Sequence, residues 1–122
     1  HIDISNEKIE RDKMLDVIES EPAQFQLVLC AIMKLSDDKD VGTIFTGDVF
    51  NVYQEFCEKT KSEVLTQRRV SDIIAEFDML GIINARVISK GRQGRTREIK
   101  LMLSKNIKEK AKEILEKNLD LK

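Results

Sequence analysis

The segment Leu65–Leu101, LTQRRVSDIIAEFDMLGIINARVISKGRQGRTREIKL, constrains this chain more than any other. Thr66 is of a type that caps helices, and Val70, Ile73, Ile74, Phe77 and Leu80 follow at helical spacing until Gly81 ends the run. Ile82–Ser89 is β-branched and apolar. Glu98–Leu103 then sets Ile99, Leu101 and Leu103 against Glu98, Lys100 and Met102, as a strand with one buried face does. Between them Lys90-Gly91-Arg92-Gln93-Gly94-Arg95-Thr96-Arg97 predicts a hairpin tip, with Gly91 and Gly94 permitting turns and close approach to another backbone. A capped helix with a basic hairpin after it is the pattern of a recognition helix and its wing.

The remaining segments fit that plan. Ser5–Glu19 is expected to be helical, with apolar Ile9, Met14, Leu15 and Ile18 among charges. Ser20-Glu21-Pro22 is a break and a new helix start, because proline is accommodated in a first turn. The helix that follows, to about Leu35, is apolar almost all round and belongs in the centre of a core. After the acidic loop Ser36–Gly42, Thr43-Ile44-Phe45 is read as one short strand. Thr46 is read as an N-cap, with Asp48 favouring the helix dipole. Val49, Val52, Tyr53, Phe56 and Cys57 recur at helical spacing to about Thr60, and Lys61–Leu65 leads to the cap at Thr66. Ser104 caps a last helix carrying Ile107, Ala111, Ile114, Leu115 and Leu119. The expected fold is mostly α with a small β-hairpin, a winged helix-turn-helix with extra N- and C-terminal helices. Residues 1–21 are expected to form an N-terminal helix, and 22–122 a winged-helix domain, expected on the grounds below to bind DNA, with its C-terminal helix.

The net charge of −1 hides a polarised chain. Residues 1–22 and 36–63 each carry seven acids against three bases, whereas 66–105 carry nine bases against four acids. That asymmetry predicts one basic face and a polyanionic partner. The longest apolar run, Leu27–Met33, is far too short for a bilayer, and no signal-peptide pattern opens the chain. No membrane is expected, and the expected setting is cytoplasmic and nucleoid-associated. The first residue is His1 rather than Met, so a piece of a longer protein is expected. Cys30 and Cys57 sit on apolar helix faces, as structural thiols of a reducing compartment do. A single histidine leaves no zinc set, and no nucleophile–base pair is suggested; Asp37 and Asp38 have no partner. Neither catalysis nor a cofactor is expected of this segment.

In a helix-turn-helix the N-terminal residues of the second helix meet base edges. Here these are Thr66, Gln67, Arg68, Arg69, Ser71 and Asp72. Arginine bonds bidentately to guanine and glutamine to adenine, and the helix N-terminus can receive a phosphate. The competing reading of Arg68 is an ion pair with Asp72, worth about 0.2–0.5 kcal/mol on a helix surface. In the wing, Arg86, Lys90, Arg92, Gln93, Arg95 and Arg97 are candidates: Arg92 and Arg95 for a narrow minor groove, Arg86 and Arg97 for gripping phosphates or bracing the hairpin. Gly91-Arg92-Gln93-Gly94 also matches the GXXG clamp of RNA-binding KH modules, but that clamp lies between helices, not strands. The spacing of an ATP phosphate loop is absent.

TGDVFNVYQEFC and the segment Leu65–Leu101 together resemble the C-terminal winged-helix domain of archaeal replication initiators, the family of origin recognition complex subunit one and cell division control protein six. The likeness covers roughly Ile9 to Leu103. It implies double-stranded origin DNA as partner, the helix matching Thr66–Leu80 toward the major groove, and the hairpin matching Lys90–Arg97 in the minor groove. It further implies a preceding AAA+ ATPase that takes ATP or ADP with Mg, its lid ending in the first helix here, and association with helicase loading. The rival reading is a protein-interaction module, with an acidic Asp37–Asp48 face or the last helix docking the replicative helicase or another initiator.

Overall fold

The computed structural model describes residues 13–38, 40–89 and 95–119. Among these residues five helices appear: α1 (residues 13–20), α2 (Ala23–Asp37), α3 (Thr46–Thr60), α4 (Gln67–Met79) and α5 (Lys105–Leu119). Three strands, β1 (Ile44–Phe45), β2 (Ile83–Ser89) and β3 (Arg95–Leu101), form one antiparallel sheet in the order β1-β3-β2.

α2 is the centre because its sequence leaves it no polar side. It buries Leu27, Val28, Leu29, Ala31, Ile32, Met33 and Leu35, and α3, α4, α5 and the sheet all pack on it. α1 belongs to the same core through Ile18, which is wholly buried. The buried amide of Gln26 holds it there: Nε2 donates to the carbonyls of Ile18, Glu19 and Glu21 at 3.2, 3.0 and 3.2 Å. These carbonyls close α1 and have no partner inside that helix.

The phase of α4 is set by Val70, Ile73, Ile74 and Phe77, all buried, with the Phe77 ring edge-on to Phe25 of α2 at 5.9 Å. Burying each of these side chains stabilises by about 1.5–3 kcal/mol. A rotation of α4 by one residue would forfeit several of them, so its outer face is fixed as well. Leu80, expected in this stripe, is instead 38% exposed, because the chain has already left the helix. Gly81 at φ +80° allows Ile82 N–H to reach the Phe77 carbonyl at 3.1 Å and its own N–H to reach Asp78 at 3.1 Å, a Schellman closure. α3 closes the same way at Lys61, φ +56°, where a side chain is disfavoured.

Thr46 does not cap α3. The N-cap is Phe45, whose N–H donates to Asp48 Oδ2 at 3.0 Å. The Thr46 hydroxyl turns to the sheet and accepts the Arg97 N–H at 3.3 Å, adding one bond beyond the last β1–β3 pair, Phe45↔Glu98. Thr66 and Ser104 do cap, accepting the N–H of Arg69 at 3.2 Å and of Ile107 at 3.4 Å. β3 begins three residues before the expected Glu98. Pairing from Ile83↔Leu101 to Ser89↔Arg95 makes strand residues of Arg95, Thr96 and Arg97, which the sequence suggested for the tip. A long β2 extends its partner, an effect that alternation within β3 alone does not reveal.

Candidate nucleic-acid interface

α3, the turn 61–66 and α4 form the helix-turn-helix, and β2–β3 stands beside α4. Between α4 and the hairpin lies an open cleft of about 530 Å³ lined by Thr46, Gln67, Arg68, Ser71, Val87, Thr96 and Arg97. No acid is among these lining residues. Thr66, Gln67, Arg68 and Arg69 are exposed, and Ser71 is half-buried at the cleft wall. The cap takes up the Arg69 N–H, leaving the N–H groups of Gln67 and Arg68 without a partner among the described residues.

The structure therefore gathers Gln67, Arg68, Ser71 and Arg97 in one place. Arg69 and Asp72 are exposed on α4 outside the cleft lining. The competing Arg68–Asp72 ion pair is not formed, and Arg68 has no acidic partner among the described residues. Arg86 lies opposite Glu98 in the ladder and pairs with it at 3.4 Å. By strand alternation it is on the other sheet face from Val87 and Arg97. Arg97 is tied to α4: its Nη1 donates to the Ser71 carbonyl at 2.6 Å. Arg95 ends the described ladder opposite Ser89. Lys90, Arg92 and Gln93 lie outside the described residues, as does the Arg95 side chain.

Three lining residues were missed from sequence. Thr46 looked like a cap and Thr96 like tip. Val87 looked like an ordinary strand residue but is 54% exposed. The clue was available in principle: in a strand packed through Ile83 and Ala85, Val87 falls on the same face, past the edge of the core.

A second groove of about 320 Å³ opens between α2, α3 and α5, with Cys30, Met33, Phe56 and Leu115 among Lys34, Lys59, Lys112, Asp37 and Glu116. The ammonium groups of Lys34 and Lys59 sit 5.5 and 5.9 Å from the Phe56 ring centroid. Burial, and after it the charge of Glu116, pushes the Cys30 thiol up to about 12, so it is protonated near neutral pH. Cys57 is buried and also shifted up by burial. No helix among the described residues is long and apolar enough to cross a membrane.

The family described as CDC6, C terminal winged helix domain, matches residues 16–111. The ORC1-type DNA replication protein of Pyrococcus furiosus is 54% identical over 101 residues, covering 83% of this chain and 24% of that protein. ORC1-type DNA replication protein 7 of Halobacterium salinarum is 50% identical over 101 residues, 83% of this chain and 19% of that protein. This chain thus spans a quarter or less of these relatives. Among solved structures, the Aeropyrum pernix ORC1 protein in complex with DNA superposes with a TM-score of 0.83 at 38% identity, covering 97% of this chain and 30% of that one. The CDC6p crystal structure from Pyrobaculum aerophilum, at TM-score 0.68 and 16% identity over 86% of this chain and 26% of that one, shares the fold.

Proposed function

The chain belongs to the family of CDC6 C-terminal winged helix domains, as found in archaeal ORC1-type replication proteins, and from that membership we propose that it binds double-stranded DNA at replication origins. α4 enters the major groove and the wing lies in the minor groove. The observation that carries this reading is the cleft between α4 and β2–β3, whose lining presents Arg68, Arg97, Gln67 and Ser71 and no acid. Gln67 and Arg68 are suited to base edges by their forked donors and acceptors. Thr66 and the exposed N-terminus of α4 are suited to a phosphate, and Arg69 and Asp72 to the rim of the contact. Lys90, Arg92, Gln93 and Arg95 supply the grip of the wing.

In this reading the segment binds and does not catalyse. ATP or ADP with Mg belongs to an ATPase elsewhere in the longer protein, whose lid ends in residues 1–21. Firm attachment of α1 through Gln26 then passes the orientation of that lid to the DNA-binding part.

The test is a duplex titration at several salt concentrations. If about five phosphates are gripped, log affinity falls with log salt at a slope of roughly −4 to −5. Affinity indifferent to salt would overturn the reading. A second reading, docking of the replicative helicase or another initiator, is favoured by the groove around Phe56. Phe56 and Lys59 lie at the far end of α3 from Thr46, about 15–20 Å away at the helical rise. Both partners can therefore bind at once. Chemical-shift mapping separates them: DNA should perturb Gln67–Asp72 and Thr96–Arg97, a protein partner Lys34, Phe56 and Lys59.

A further inference from the structure

Two side-chain hydrogen bonds join α4 to the hairpin among the described residues. At the base of the hairpin, Asp78 Oδ1 accepts the Ala85 N–H at 3.0 Å. Farther out, Arg97 Nη1 donates to the Ser71 carbonyl at 2.6 Å. Ser71 and Asp78 are separated by about 10 Å along the helix. In the ladder Ala85 faces Ile99 and Val87 faces Arg97, so the inner bond is made by a backbone N–H of the edge strand β2 and the outer one by a β3 side chain, one side-chain repeat further along the hairpin. One contact alone is a hinge; two at separate heights fix an angle. Arg97 is fixed at a third point, because its backbone N–H donates to Thr46 Oγ1 at the start of α3.

The Ser71 carbonyl is inside the helix and already serves the helical ladder. Its second lone pair is what Arg97 takes. The bond is charge-assisted, and the planar guanidinium sets its direction as well as its length. A lysine at this position would keep the charge and lose the fixed direction.

We propose that Arg97 is a positioning residue: it acts as a strut between recognition helix and wing, so that major-groove and minor-groove contacts are made together. This rests on the cleft being the DNA site. Its consequence is specific. Sequence discrimination, which needs both contacts in register, depends on Arg97 more than non-specific affinity does.

The experiment uses the 122-residue chain, a duplex that the wild type selects from a random pool, and a scrambled duplex of the same length. Arg97→Lys and Arg97→Met are compared with wild type, the folded fraction being checked by circular dichroism. The strut predicts that both variants lose about tenfold or more on the selected duplex beyond whatever each loses on the scrambled one, and that Arg97→Lys, which keeps the charge, loses less than about twofold on the scrambled one. It also predicts that Arg97→Lys leaves the salt slope unchanged. Full rescue by lysine, with Arg97→Met weakening both duplexes equally and lowering the slope by about 0.9, would make Arg97 a simple phosphate ligand and overturn the proposal. Unchanged affinities in both variants would overturn it too. If neither variant folds, residual dipolar couplings of the wild type decide. One alignment tensor for α4 and β2–β3 supports a strut, and two separate tensors sink it. A wild type that binds duplex without salt dependence instead removes the DNA reading on which the strut rests.

Discussion

The hydroxyl of Tyr53, wholly buried in α3, accepts the N–H of Leu65 at 2.9 Å, one residue before the cap of α4. The same hydroxyl donates to Gln24 Oε1 on α2, and Gln24 Nε2 donates to the Glu63 carbonyl at 2.8 Å. Two residues of the turn are thereby held by two different helices. This network fixes where α4 starts, and hence where Gln67 and Arg68 stand.

Tyr53→Phe should therefore cost more than the loss of one exposed hydrogen bond. It strands the Leu65 N–H and the Gln24 amide oxygen, an expected loss of about 1–3 kcal/mol in urea denaturation. Duplex affinity should fall as well, because the start of α4 loosens. A change under about 0.5 kcal/mol would show that the network does not hold the turn.

Lys61 closes α3 at φ +56° and ψ +39°, where a side chain crowds the backbone. Lys61→Gly should raise stability by about 0.5–1 kcal/mol, the relief of left-handed strain exceeding the added freedom of the unfolded chain. Thermal denaturation reads this as a melting point several degrees higher. Lys61→Ala, which keeps a Cβ, should give little of the gain.

Arg68 and Arg86 are both exposed arginines of the basic segment, yet they are placed differently. Arg68 lines the cleft without an acidic partner among the described residues, and Arg86 pairs with Glu98 on the other face of the sheet. Arg68→Ala should weaken binding to a preferred duplex by about 1–3 kcal/mol and relax its sequence preference. Arg86→Ala should change affinity by less than about twofold and stability by less than about 0.5 kcal/mol, the usual worth of an exposed pair. Fluorescence anisotropy on both variants checks the contrast, and equal losses would refute it.

Stability should fall in alkali. Burial, and behind it Glu116, raises the Cys30 thiol from 9.0 to about 12; burial raises the Tyr53 phenol from 10.0 to about 12 against the opposing Leu65 hydrogen bond. Both groups are neutral when protonated, and the unfolded chain loses these protons first as pH rises. Their contribution is complete below pH 9 and is lost between pH 9 and 12. Cys57 shifts in the same direction. Urea midpoints at pH 8, 10 and 11 under reducing conditions should decline in that order, and Cys30→Ala should make the decline shallower. A flat profile above pH 9 would contradict the burial of these groups.

Much of the fold could be read locally. The all-apolar face of α2, the caps at Thr66 and Ser104 and the stop at Gly81 each depend on a few neighbouring residues. The phase of α4 was equally legible, since Val70, Ile73, Ile74 and Phe77 could share a buried side only one way. Thr46 shows where this reasoning fails. Its sequence context suited a cap, but the approach of β3 gave its hydroxyl a different donor. Leu80 and the start of β3 moved for a similar reason: the end of one element was settled by its neighbour.

The sequence by itself determined the order of elements, the central helix, the helix-turn-helix with its basic hairpin, and which side of α4 is buried. Tertiary structure alone decided that Arg97 is tied to α4 and α3 and that Arg86 is paired with Glu98. Arg97 and Ser71 are 26 residues apart, Arg97 and Thr46 are 51 apart, and Tyr53 and Leu65 are 12 apart. Periodicity and capping act over a few residues. A hydrogen bond across such spans exists only once the crossing of helix and sheet has brought donor and acceptor within about 3 Å.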